Sequence, residues 1–144
     1  MQVLVATREN FTELIAVLRV WENEMGYDTN QEEIVEYLAG CSCVLYVKNQ
    51  DDNIVGIMTG DITKPFWVKT PILTENWLFV HTHYRSEGYG TALIAMFEAW
   101  AKSSGCGCAV VTPNKYGTST PEVAAGLLRK HGYETFGYVM RKKV

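Results

Sequence analysis

The sequence predicts one domain with a mixed α/β fold, in which helices cover a single sheet. The elements follow in the order β-α-α-β-β-β-α-β-α-β, with one further strand at the end as the alternative. Three observations predict this order. Two segments in the first 40 residues have helical periodicity, a polar hairpin signal separates two β-branched runs, and a strand, a glycine-rich loop and a helix follow one another after residue 74. The hairpin requires antiparallel strands, and the strand–helix–strand unit requires a parallel crossover.

Periodicity and end signals define the individual elements. The predicted strands are 1–6, 43–48, 54–62, 74–81 and 108–112, with one or two closing strands in 133–141, and the predicted helices are 10–24, 31–38, 88–103 and 121–131. Asn10 and either Thr29 or Asn30 are the predicted caps of the first two helices, and Pro121 stands at the first position of the last helix. No repeat or linker interrupts residues 1–144, so we predict a single domain.

Composition limits the classes of function. The chain has 144 residues, 47% of them hydrophobic, and a net charge of −3, which argues against nucleic acid as a main partner. No apolar run reaches the roughly 18 residues that a membrane span needs, and the N-terminus lacks a signal-peptide pattern, so we expect a cytoplasmic protein without a membrane partner. Residues 1–40 have a net charge of −6 and the remainder +3. This asymmetry suits a cationic amine and a polyanionic cofactor, or else reflects solvated acidic helix faces.

Cysteine and histidine pairs raise the question of a metal site. Cys41, Cys43, Cys106 and Cys108 form two Cys-x-Cys pairs, and His81 and His83 form a His-x-His pair. Structural zinc sites usually have wider Cys spacing, and each cysteine pair begins an apolar strand. We therefore predict buried, reduced thiols and no metal.

Residues 85–90, with the sequence RSEGYG, lie between a predicted strand and a predicted helix. Two glycines one residue apart permit a close backbone approach, and amides at a helix N-terminus favour an anion. The pattern predicts a phosphate-binding loop, with a simple tight turn as the alternative. It lacks the third glycine of a dinucleotide-binding fingerprint and the Gly-Lys-Ser/Thr ending of a P-loop.

Two linked motifs resemble those of the GCN5-related N-acetyltransferases (GNAT superfamily). Residues 78–93, LFVHTHYRSEGYGTAL, resemble the acetyl-CoA-binding motif, a strand followed by Arg/Gln-x-x-Gly-x-Gly and a helix. Residues 127–134, LLRKHGYE, resemble the late helix and turn of the family. The order of elements fits nearly the whole chain, so the resemblance implies a GNAT fold in which the fourth and fifth strands diverge.

The resemblance also implies a cofactor, acetyl-CoA, and residues that bind it. The cofactor-binding residues would be Phe79 and Val80, through their backbone, and the loop residues Arg85, Ser86, Glu87, Gly88, Tyr89, Gly90 and Thr91. The loop amides would bind the pyrophosphate, with the Arg85 side chain in a structural role. The N–H of Leu78 would stabilise the developing oxyanion.

The residues at the proton-transfer positions differ from those of the family. Leu128 stands where many members of the family have a tyrosine that protonates the leaving thiolate, so Tyr116 and Tyr138 are candidate substitutes. Glu75 is the candidate base, with a water relay as the alternative. Counted back from Val80, Glu75 is one residue out of step with the family's position and faces the wrong side of the strand unless a bulge intervenes.

These expectations favour an N-acetyltransferase that moves an acetyl group from acetyl-CoA to a primary amine of a small molecule or protein by direct attack. A catalytically weak or inactive acyl-CoA-binding module is the alternative, because of Leu128. Acetylation of charged tRNA is a weaker third, since the first 40 residues lack a basic patch. Glu22, Glu24 and Asp28 are expected on the acceptor side, with Trp21 and Trp67 as candidate aromatic walls. A homodimer is left open.

Overall fold

The computed structural model describes residues 1–26, 28, 30–113, 121–137 and 142–143. The strands are β1 (Gln2–Val5), β2 (Cys43–Lys48), β3 (Ile54–Thr63), β4 (Ile72–Val80) and β5 (Cys108–Val110). The helices are α1 (Phe11–Met25), α2 (Gln31–Gly40), α3 (Tyr89–Ser103) and α4 (Pro121–Lys130). The predicted order is therefore confirmed as far as α4.

Two details differ from the predictions at the chain's ends and caps. Residues 133–137 contain no strand, and the rest of the predicted closing strand, 138–141, lies outside the described residues. Asn10 makes no side-chain cap, because its Oδ1 accepts instead from the Thr7 N–H at 2.9 Å in a preceding 3₁₀ turn. Asn30 does cap α2, where its Oδ1 accepts from the Glu33 N–H at 2.8 Å.

The sheet has the order β1-β2-β3-β4-β5, and only the β4–β5 pair is parallel. That pair is short: Ile72, Leu73 and Thr74 lie opposite Cys108, Ala109 and Val110. Among the described residues the two strands have no pairing beyond Thr74 and Val110. The divergence that the resemblance implied is confirmed, and it opens one edge of β4 from Glu75 onward.

A β-bulge in β4 changes which residues share a face. Thr59 of β3 lies opposite Trp77, but the next residue, Gly60, lies opposite Glu75, so Asn76 is the extra residue. A Cβ at Gly60 would lie 2.7 Å from the Phe97 ring of α3, which places Gly60 and its partner Glu75 on the α3 side of the sheet. Because of the bulge, Glu75 shares this side with Leu78 and Val80, and the register mismatch seen in the sequence is resolved.

Two apolar clusters cover the two faces of the sheet. On one face the side chains of α3 pack against the strands, with Leu93, Ile94 and Phe97 fully buried, and Leu128 of α4 joins them. On the other face α1 and α2 supply Leu14, Leu18, Ile34 and Leu38.

The described part of the chain has no helix with the length and apolar character to cross a bilayer. All four cysteines are free thiols; Cys43 is buried but Cys108 is exposed, contrary to the expectation of buried thiols.

Candidate active site

A cavity of about 1130 Å³ lies where β4 and β5 diverge. Residues of α1 and α2 line one end, and residues 75–80 of β4 line the middle. Residues of α4 line the other end, together with Tyr84, Arg85, Ser86, Gly88, Gly90 and Thr91. The opening of the sheet thus connects its two faces in one continuous space.

The loop before α3 has the geometry of an anion site. Ser86 and Gly88 adopt left-handed φ values of 71° and 88°, and the first hydrogen bond of α3 joins the Ala92 N–H to the Gly88 carbonyl at 3.0 Å. Within the described part of the chain, the N–H groups of residues 86–91 have no hydrogen-bond acceptor. Unpaired amides at the N-terminus of a long helix attract an anion.

The predicted loop residues divide into those that line the cavity and those that do not. Ser86, Gly88, Gly90 and Thr91 line it, whereas Glu87 does not, and the Tyr89 side chain is buried in the core on the α3 face. The two glycines have different roles. Gly88 has a positive φ, but a Cβ at Gly90 would make only ordinary contacts, 3.9 Å to Val80 and 4.0 Å to Leu127. The fold itself therefore does not need glycine at position 90, which suggests close approach of a ligand.

Arg85 fastens the loop to the rest of the site. Its Nε donates to the Val80 carbonyl at 2.8 Å, and its Nη2 pairs with Glu24 of α1 at 3.2 Å. The other Glu24 oxygen accepts from the Thr82 hydroxyl at 2.5 Å. Glu24, expected on the acceptor side, is thus engaged in an ion pair that holds the loop. Arg85 Nη1 is buried without a partner among the described residues.

The open edge of β4 offers backbone groups to the cavity. The His81 N–H donates to the Val55 carbonyl of β3 at 2.8 Å, and in an antiparallel pair the direction of these groups alternates along the strand. Phe79, two residues earlier, therefore also directs its backbone groups toward β3. Leu78 and Val80 direct theirs toward the opening, and Arg85 already bonds the Val80 carbonyl.

Glu75 is a buried carboxyl group at the point where the strands diverge. Its side chain is only 7% exposed, and Oε2 accepts from the Thr112 N–H, just beyond β5, at 3.2 Å. Burial raises the pKa of Glu75 from 4.5 to about 7, although the hydrogen bond from Thr112 acts in the opposite direction. A carboxylate with a pKa near neutrality can accept a proton from a reacting group at physiological pH.

The raised pKa of Glu75 predicts how the stability of the protein depends on pH. Above pH 7 the folded protein must ionise a buried carboxyl group, so the stability that Glu75 contributes when protonated is lost as pH rises through about 7. We expect Glu75→Gln, which keeps the shape without the charge, to raise the free energy of unfolding at pH 8 by about 1–3 kcal/mol. Urea denaturation at pH 8 and at pH 4.5 measures this. The gain should disappear at the lower pH, and an equal gain at both would contradict its origin in ionisation.

The remaining residues singled out from the sequence differ in where they lie. Tyr116 and Tyr138 lie outside the described residues. Leu128 lines the cavity, but its aliphatic side chain has no proton to donate. Trp67 is 72% exposed and stacks edge-on against Phe66 away from the cavity, so it does not form an acceptor wall.

Sequence reasoning missed several residues at the α1–α2 end. Trp77, Tyr37 and Glu33 line the cavity there beside the expected Trp21 and Glu22. The only available signal was the position of Trp77 on the strand just before the loop motif, where alternation from Val80 turns Trp77 to the face opposite Val80. The part of the chain that the structure describes contains no group of three or more potential metal ligands.

The comparisons with known proteins agree with this geometry. The acetyltransferase (GNAT) domain, as a family model, matches residues 41–135. The chain belongs to the GNAT acetyltransferases. The matched part of this GNAT protein begins just before β2 and includes β4, the loop and α4, which all contribute residues to the cavity wall. None of the curated proteins matches the sequence.

Solved structures show the same fold over nearly the whole length of this GNAT protein. An aminoglycoside acetyltransferase from an uncultured soil metagenomic sample, solved with sisomicin, has a TM-score of 0.80 at 16% identity, covering 99% of this chain and 94% of its own. An acetyltransferase from Trypanosoma brucei has 0.76 at 17%, covering 99% of both chains. A ribosomal-protein-alanine N-acetyltransferase from Brucella melitensis biovar Abortus 2308 has 0.76 at 16%, covering 99% and 100%.

Proposed function

We propose that this GNAT protein transfers the acetyl group of acetyl-CoA to a primary amine by direct attack. The observation that supports it most strongly is that one cavity joins the unpaired loop amides, the open edge of β4 and the buried Glu75 carboxyl group. Two of the structural neighbours are named for amine-bearing acceptors, an aminoglycoside and a ribosomal-protein alanine. This supports an amine acceptor, whether on a small molecule or a protein.

The loop and strand would hold the acetyl donor. The N–H groups of residues 86–91 match a pyrophosphate, because several donors converge on one anion at the start of α3. The backbone groups of Leu78 and the N–H of Val80 at the open edge match the amides of a pantetheine arm, as an added strand would. The Leu78 N–H is then the donor for the carbonyl oxygen as negative charge develops there.

Glu75 would act as the general base. It takes a proton from the attacking amine, directly or through one water, as the new C–N bond forms and the C–S bond of the thioester breaks. The departing thiolate takes a proton from solvent, because Leu128 has none to give. The raised pKa of Glu75 suits this role near pH 7.

The competing function is a binding module that holds acyl-CoA without turnover, which Leu128 favours. A panel of primary amines, peptides and aminoacyl-tRNA incubated with acetyl-CoA separates the two. We expect thiol release that depends on the amine, with the acetylated product identified by mass spectrometry. Tight acetyl-CoA binding without acetylation of any acceptor would instead establish the module. A cytoplasmic location and the open question of a homodimer remain predictions from the sequence.

A further inference from the structure

The α1–α2 end of the cavity, which we call the acceptor chamber, is formed by Trp21, Glu22, Glu33, Tyr37 and Trp77. Glu22 lines it although the residue is only 5% exposed. Within the described part of the chain, its carboxylate has no hydrogen bond and no ion pair. A carboxylate that lines a cavity without a protein partner can take a cationic ligand as its partner.

Aromatic rings form the rigid walls of the chamber. The rings of Trp21 and Trp77 meet edge-on at a centroid distance of 4.1 Å, and Tyr37 meets Trp77 at 6.3 Å with a similar angle. The Tyr37 hydroxyl is held by Thr59 Oγ1 at 2.7 Å, which fixes this wall to β3. Aromatic faces beside a carboxylate attract an ammonium group more strongly than either does alone.

The charges around the chamber favour a cation as well. Glu33 adds a second carboxylate on α2, with one oxygen facing the Asn30 N–H at 3.4 Å. The described cations that line the cavity are Arg85 and Lys130, and they belong to the loop and to α4, not to the α1–α2 wall. Arg85 is also neutralised by Glu24.

We propose that the acceptor is a diamine, or a larger polyamine, of which one amine reacts beside Glu75 while a second, protonated amine binds Glu22 in the acceptor chamber. This inference rests on the proposed function. The cavity volume of about 1130 Å³ supports it, because a cavity of about 300–1,000 Å³ typically holds one drug-sized ligand. The cavity therefore has room for an acceptor beside the arm of the donor.

The test compares diamines with monoamines of equal length: 1,4-diaminobutane with n-butylamine, and 1,8-diaminooctane with n-octylamine. We expect the wild-type protein to prefer the diamines in kcat/KM. Glu22→Gln should lower this preference roughly 10- to 100-fold, mainly through KM, because it removes one charge-assisted hydrogen bond. Glu13→Gln, on the exposed side of the same helix, is the matched control and should leave the preference unchanged.

The failure of this inference is distinguishable from failure of the proposed function. If monoamines are acetylated as well as diamines, and Glu22→Gln affects neither, the acceptor chamber does not select a second cation although acetyl transfer stands. If no amine is acetylated, calorimetry of 1,8-diaminooctane with the CoA-saturated protein decides. Binding that Glu22→Gln abolishes would support the cation site, and no binding to the wild-type protein would overturn it.

Discussion

Replacing Glu75 with Gln should lower kcat by about 10²–10⁴ while the affinity for acetyl-CoA stays unchanged. Gln keeps the hydrogen bond from the Thr112 N–H, so the variant removes the base and little else. In the wild-type protein, with the concentration of neutral amine held constant, kcat/KM should rise as pH increases through about 7, since only the ionised carboxylate accepts a proton. Steady-state kinetics from pH 5 to pH 9 measures both effects, and the variant should lose the titration near pH 7.

The control for this experiment is Glu36→Gln, which changes an exposed carboxylate of α2 outside the cavity. It should leave kcat and the pH profile as they are. A loss of less than about threefold in Glu75→Gln, with the titration retained, would assign proton transfer to a water relay. In that case the raised pKa would reflect burial without a catalytic role.

The double variant Gly88→Val and Gly90→Val should lower the affinity for acetyl-CoA on the order of 100-fold or more, because the loop amides can no longer approach the pyrophosphate. The two positions act differently. Valine at Gly88 opposes a φ of 88°, whereas a side chain at Gly90 fits the fold but projects toward the cavity. Gly90→Ala alone should therefore keep or raise the thermal stability and still weaken acetyl-CoA binding. Calorimetry and thermal unfolding measure the two quantities.

Gly105→Val is the matched control for the glycine variants. Gly105 has a φ of 74° at the end of α3, and a Cβ there has no atom within 4 Å. Its replacement reproduces the backbone strain of Gly88→Val outside the cavity, so it should cost stability without loss of acetyl-CoA affinity. Unchanged affinity in the double variant, with the protein folded, would show that the loop does not bind the cofactor.

The sequence by itself determined the order of elements through α4, the loop of residues 85–91 and the family. These features are local, because periodicity, caps and glycine positions act within a few residues of the chain. Of the predicted closing strand, residues 133–137 form none, and residues 138–141 lie outside the described residues. The local pattern of that segment did not decide whether a neighbouring strand would pair with it.

Only the tertiary structure decided which side chains meet. The bulge at Asn76 turns Glu75 to the α3 side, although simple alternation from Val80 predicts the opposite side. Likewise, Glu24 and Arg85 are 61 positions apart, and the ring of Trp21 in α1 meets that of Trp77 in β4 only in the folded protein. Register and helix packing depend on contacts between distant segments, and neither is encoded in the residues near Glu75 alone. The position of Glu75 in the site therefore follows from one extra residue in one strand.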